Sequence, residues 1–212
     1  MHIYCKICSK YSLPVGDDTM NYDIQPGSTK DHLIKAGLEE LNAVGMQNFS
    51  TRHVAKSCGF SCAAPYKHFE NTRQFIAEIF LYINQLYTAE QQEVLSRYAD
   101  ADSKTLIIQL SLHYIRFLIK YPQFRHIIMQ NYSDCDPMVL DLRKQLSEET
   151  YKVVSRYCDE IGASEEVRQQ QTFVIRSLVY GAAMFYGDNQ AEFSDENVNM
   201  IASILERELH YC

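Results

Sequence analysis

Between residues 50 and 69 the chain reads Ser-Thr-Arg-His-Val-Ala-Lys-Ser-Cys-Gly-Phe-Ser-Cys-Ala-Ala-Pro-Tyr-Lys-His-Phe, and its polar members suit recognition of a phosphodiester duplex. The Arg52 guanidinium has a fork that spans guanine O6 and N7. The Tyr66 phenol and His68 imidazole can each donate to a phosphate oxygen, and Lys67 supplies a counter-charge. Cys62 and Ala63 offer only apolar contacts, for example to a thymine methyl, and residues 61–69 contain no Asn, Gln or Arg. Readout therefore leans on Arg52, Lys67 and the shape of the duplex. Burial of Tyr66 and His68 against a neighbouring helix is the competing expectation, and Lys56 reads as a solvated surface charge.

These side chains need a scaffold, and the local sequence specifies one. Ser50 is a good N-cap, Val54, Ala55 and Cys58 form a small apolar stripe, and Gly59 provides the left-handed residue that ends a helix. Phe60 plugs the corner, Ser61 caps a second short helix, and Pro65, Tyr66 and Phe69 follow at helical spacing. The small Ala55 lets the second helix cross closely over the first. This is the pattern of a helix-turn-helix, whose second helix enters the DNA major groove.

Helical signals extend over most of the remaining chain. A first helix is expected from about Thr29 to Val44, with Leu33, Ile34, Gly37, Leu38 and Leu41 on one face and Gly45 ending it. Asn71 caps a long helix that begins at Thr72. Further helices are expected at about 103–120, 122–131, 137–161, 165–187 and 195–210, with Pro122 and Pro137 in first turns and Gly162 and Gly187 at ends. No run alternates as a strand does. The expected fold is all-α, with roughly nine helices. Residues 1–27 lack sustained periodicity and read as a flexible tail, residues 28–75 as a DNA-binding head, and residues 76–212 as a ligand-binding and dimerisation domain.

The chain has 212 residues and a net charge of −7, unevenly distributed. The head carries six basic residues against four acidic ones, whereas residues 76–212 carry 12 basic and 20 acidic. A mildly basic head on an acidic body is compatible with binding duplex DNA through one face. No segment reaches the roughly 20 apolar residues of a membrane span. No long apolar stretch marks the start as a secretion signal, and seven Cys at irregular spacings make no disulfide framework. A cytoplasmic location is expected. Cys5-x-x-Cys8 has half of a zinc spacing with only His2 nearby, so no metal is expected. No nucleophile–base pairing, phosphate-cradling glycine loop or complete metal motif appears, and neither enzymatic activity nor a cofactor is expected.

Three stretches carry a family resemblance. Lys30-x-x-Leu33-Ile34-x-Ala36-Gly37, then Gly45-x-x-x-Phe49-Ser50-Thr51-x-x-Val54-Ala55-x-x-x-Gly59-Phe60-Ser61, then Ala64-Pro65-Tyr66-Lys67-His68-Phe69 resemble, in order and spacing, the head of the TetR family of bacterial transcriptional repressors. The resemblance spans residues 29–80. Tyr121-Pro122-x-Phe124-Arg125-x-Ile127-x-Met129 and Val179-Tyr180-Gly181-Ala182 look like the regulatory domain of one branch of that family. It implies a three-helix reading head, a C-terminal domain that holds a small-molecule inducer, a homodimer formed through the last two helices, and a double-stranded operator as partner. Thr51, Tyr66 and His68 match positions that grip the DNA backbone in the family. Lys30, Ser61, Cys62, Ala63 and Lys67 complete the expected surface with Arg52. Gly37 stands where the family usually has Ala. Thr72 stands where many members have Lys, a phosphate contact that the adjacent Arg73 would replace.

In the body, Tyr and His side chains can line a pocket between helices, and His113, Phe117, Tyr121, Phe124, Tyr151 and Tyr180 are the candidate lining. Arg176 lies in the apolar segment Phe173 to Tyr186, where a charge needs an acid or an anionic ligand as partner. Cys58 and Cys62 flank the turn of the head, so a thiol-based redox sensor on the same scaffold is the alternative reading.

Overall fold

A computed structural model describes residues 27–128 and 137–209, and among these the fold is all-α. The helices are α1 (Thr29–Val44), α2 (Thr51–Ser57), α3 (Thr72–Arg97), α4 (Ser103–Lys120), α5 (Pro122–Ile128), α6 (Pro137–Glu160), α7 (Glu165–Gly187) and α8 (Asp195–Glu208). The Cys5 and Cys8 pair, most of the tail, and residues 129–131 and 210 of two expected helices lie outside the described residues.

Eight α-helices are described against the roughly nine expected, and the difference lies in the head. Residues 61–69 form turns around a three-residue 3₁₀ helix, Pro65–Lys67, instead of a second α-helix. Pro65 has no N–H, so it cannot bond to the Ser61 carbonyl, and its ring would crowd that carbonyl in an α-helix. The backbone closes tighter bonds instead, Ala64 N to Ser61 O at 2.9 Å, Lys67 N to Ala64 O at 3.1 Å and His68 N to Pro65 O at 2.9 Å.

The stop signals act as their chemistry dictates. Gly59 has φ 72°, with Gly59 N bonded to Lys56 O at 3.0 Å and Phe60 N to Ala55 O at 2.8 Å, a Schellman closure of α2. Gly162 closes α6 the same way at φ 66°. At the end of α7 the left-handed residue is Asn189, two positions after Gly187.

The described residues divide into two compact units, the boundary in α3 falling between Leu86 and Tyr87. The first holds residues 27–86, 121–128 and 137–142. Leu33 and Leu41 of α1, Val54 and Ala55 of α2, and Phe69, Phe75 and Ile79 are buried in its core. The Phe69 and Phe75 rings stack at 4.1 Å, and Phe49 meets Phe75 edge-on at 5.5 Å. A Cβ on Gly37 would come within 2.7 Å of Ile79 Cδ1 and 3.1 Å of the Phe75 ring. The glycine that lowers the helix propensity of α1 by about 1 kcal/mol relative to Ala thus leaves room for the aromatic stack.

The second unit holds residues 87–120 and 143–209. Its centre is α4, whose Leu106, Ile107, Ile108, Leu110, Leu112, Ile115, Phe117 and Leu118 are all buried. A helix apolar around most of its circumference must be covered on several sides, and α7 and α8 pack against it. Gln171 Nε2 donates to Glu208 O at 3.1 Å, tying α7 to the end of α8.

Candidate DNA-binding surface and effector cavity

In the head the expected contact residues sort by exposure. Arg52 on α2 and Ser61, Cys62, Ala63, Tyr66, Lys67 and His68 on the following turn are all exposed. Tyr66 is 52% exposed while its neighbours Pro65 and Phe69 are buried, so the 3₁₀ turn anchors on those two and presents the phenol outward. The competing expectation, burial of Tyr66 and His68, does not describe this surface. Arg73 is exposed at the start of α3.

Two residues stand apart from this set. Thr51 is buried, with its Oγ1 3.1 Å from Thr72 Oγ1, which fastens α2 to the start of α3. Lys30 Nζ sits 3.0 Å from Glu78 Oε2 and 5.9 Å from the centre of the Phe69 ring. Both tie the head together as they stand. His53 and Glu40, which no sequence motif singles out, make a comparable tie between α2 and α1, with Nδ1 2.5 Å from Oε2.

Cys58 is half-buried and its Sγ donates to His32 O at 3.6 Å. Burial pushes its thiol above the ordinary cysteine value, which favours thiol over the reactive thiolate. Cys62 is exposed.

In the second unit a cavity of about 490 Å³ opens between α4, α6 and α7, within the range of small-molecule sites. Leu110, Ser111 and Tyr114 line it from α4, Lys144, Glu148, Tyr151 and Val154 from α6, and Ile175, Arg176, Val179 and Tyr180 from α7. Burial pushes the Tyr114 phenol well above its ordinary value, so it stays protonated as a neutral donor. A second, more open cleft shares Tyr151, Thr172, Arg176 and Tyr180 with the first.

Of the expected lining residues, the structure brings Tyr151, Arg176 and Tyr180 together. His113 and Phe117 pack instead on the buried Tyr87, at ring distances of 5.3 Å and 4.8 Å. Tyr121 and Phe124 are buried in the other unit, where Phe124 stacks on Phe80 at 5.8 Å. Ser111 and Lys144 were not anticipated. A serine within the apolar run 106–118 was the available signal for the former.

Burial, and then the positive charges of Arg116 and Lys120, lower the His113 pKa to about 4 from 6.5. The unfolded chain therefore binds a proton more readily than the folded one. Stability from this group is complete above pH 6.5, falls as the pH drops toward 4, and changes no further below that. Thermal denaturation at pH 7 and pH 5 should show a loss of Tm at the lower pH, and a smaller loss in His113→Phe. Equal losses in both proteins would contradict this.

The comparisons with known proteins follow this division. Residues 33–79 match the family model of bacterial regulatory proteins, tetR family. No curated protein matches the chain significantly. Among solved structures, a protein of unknown function from Rhodococcus sp. RHA1 is similar at TM-score 0.70 and 17% identity, covering 88% of this chain and 97% of its own. A transcriptional regulator from the same organism is similar at TM-score 0.67 and 16% identity, covering 86% and 96%. The AibR structure, in complex with isovaleryl coenzyme A and operator DNA, is similar at TM-score 0.60 and 16% identity, covering 82% and 96%. These identities establish a shared fold. No helix among the described residues is long and apolar enough to cross a membrane. Residues 33–79 thus carry a head that matches the bacterial tetR regulatory family, on a chain that shares its fold with solved transcriptional regulators.

Proposed function

We propose that the protein is a homodimeric repressor that binds a pseudo-palindromic operator and is released from it by a small molecule held in the α4–α6–α7 cavity. The observation that carries this reading is the exposure of Ser61, Cys62, Ala63, Tyr66, Lys67 and His68 beside exposed Arg52, set in a head of the matched family. Tyr66, Lys67 and His68 supply phosphate contacts and Arg52 the principal base contact, with Arg73 at the start of α3 as a further phosphate ligand. Two such heads would meet successive major grooves about 34–36 Å apart. The same fold in AibR accommodates both an acyl coenzyme A and operator DNA.

The second copy has a surface suited to it. Phe173, Ser177, Gly181 and Met184 recur along one face of α7, Phe173 being 72% exposed, and Met200 is exposed on α8. A Cβ on Gly181 would meet nothing, so that position is open for close approach of another helix. Ligand in the cavity acts through linkage, releasing DNA to the extent that it prefers the dimer conformation that DNA does not.

A gel-shift with the DNA upstream of the protein's own gene tests the reading. A retarded complex is expected at low salt. Arg52→Ala with Tyr66→Phe should weaken it by about tenfold or more, and Lys67→Ala should lower the salt slope by about 1. No complex at low salt, or an unchanged affinity in the double variant, would overturn the assignment.

A further inference from the structure

The effector cavity is graded from a neutral inner end to a cationic mouth. At the inner end, Ser111 is 2% exposed and its Oγ has no hydrogen-bond partner, although it lines the cavity. A buried hydroxyl left in that state carries an unrepaid desolvation cost, which a ligand atom in the cavity would relieve. Neighbouring hydroxyls are already engaged, Ser147 donating to Lys144 O and Thr172 to Arg168 O. At the mouth, Lys144 and Arg176 are exposed, and Tyr151 is 56% exposed. The Arg176 guanidinium carbon lies 5.8 Å from the Tyr180 ring centre, at the border with the second cleft. Glu148, the acid in the lining, is 3.0 Å from Lys152. Leu110, Val154, Ile175 and Val179 lie on the apolar walls.

We propose that this cavity takes an amphipathic monoanion, with its carboxylate at Lys144 and Arg176, its apolar body between α4 and α7, and a neutral hydrogen-bonding atom at its inner end against Ser111. The orientation follows from desolvation. The inner end holds neutral donors and no cation among the residues that line it, so a charge placed there would lose its hydration without an ionic partner. The mouth presents two cations against one lining acid, Glu148, which shares Lys152 with Glu149, so positive charge is in excess there and a cationic ligand is disfavoured. The inference rests on the cavity being the effector site.

Calorimetric titration of the full-length protein with four probes of equal chain length tests it: 10-hydroxydecanoate, decanoate, 1,10-decanediol and 10-aminodecan-1-ol. The hydroxy acid should bind about tenfold or more tightly than the diol, and about threefold to tenfold more tightly than decanoate. The amino alcohol should bind most weakly. Lys144→Gln with Arg176→Gln should erase the preference for acid over diol, while Ser111→Ala should erase only the preference for hydroxy acid over decanoate. A diol or amino alcohol that binds as tightly as the acid would overturn the proposal. So would an acid preference that survives the double variant, or no heat with any probe at millimolar concentration. The titrations need no DNA, so they separate the two readings. Ordered probe binding without a gel-shift complex keeps the ligand class and removes the repressor, and a gel-shift complex without probe binding does the reverse.

Discussion

Phe69→Ala is expected to abolish DNA binding by melting the head, at a cost of about 3–5 kcal/mol. Phe69 is 2% exposed, stacks on Phe75, and lies directly beneath the Lys30 ammonium. It is also where the exposed turn rejoins the core, through Phe69 N bonded to Pro65 O at 2.9 Å. Truncating the ring leaves a cavity between α1 and α3 that the tightly turned backbone has little freedom to collapse into. A loss of this size is a large share of the roughly 5–15 kcal/mol that holds a domain folded. Hydrogen exchange should show lost protection in α1 and α2 of the variant, alongside loss of the gel-shift complex. Phe69→Leu, which refills most of the volume, should retain binding. Unchanged protection in the alanine variant would refute the assignment of Phe69 as the keystone of the head.

For the proposed α7 dimer, Phe173→Asp combined with Met184→Asp is expected to give a monomer and to weaken binding to the proposed operator by roughly 100-fold or more. Both residues are exposed on the α7 face, so the carboxylates carry no folding cost in a single copy. In a dimer each would be desolvated against its symmetry mate, because a two-fold interface places the same patch on both sides. Sedimentation should report the halved mass, and circular dichroism the retained helix content. Loss of DNA affinity follows because the second half-site contact ceases to be intramolecular. A variant that stays dimeric would place the interface elsewhere.

Helix limits were legible wherever a stop has a local chemical cause. Gly45, Gly59 and Gly162 mark left-handed closures that need no tertiary information, and Pro122 and Pro137 open helices because a first turn does not use their missing N–H. The turn from Ser61 to Phe69 departs from the expected helix because Pro65, Tyr66 and Phe69 have helical spacing, while the proline itself forbids the bond that an α-helix would need there. The cavity was legible in part. Arg176 and Tyr180 stand out as a charge and a phenol within an apolar helix. His113 lies about 200° around α4 from Ser111 and so faces a different neighbour, and Tyr121 and Phe124 fall on the other side of a division between units. Composition reports that aromatic lining is available, whereas the phase of each helix decides which rings supply it.

The one-turn 3₁₀ segment has a consequence for how new binding preferences could arise on this scaffold. In a regular helix a surface residue can be exchanged with little effect on where its neighbours point, so contact rules transfer from one protein to another by register. Here Ser61 to Ala64 are presented by turn backbone, and Pro65 fixes the path that follows. A change at Cys62 or Ala63 therefore alters the course of the chain together with the chemistry it displays. Altered specificity would come from changing the whole loop as a unit, since single side chains grafted from a helical segment would be placed on a different trajectory.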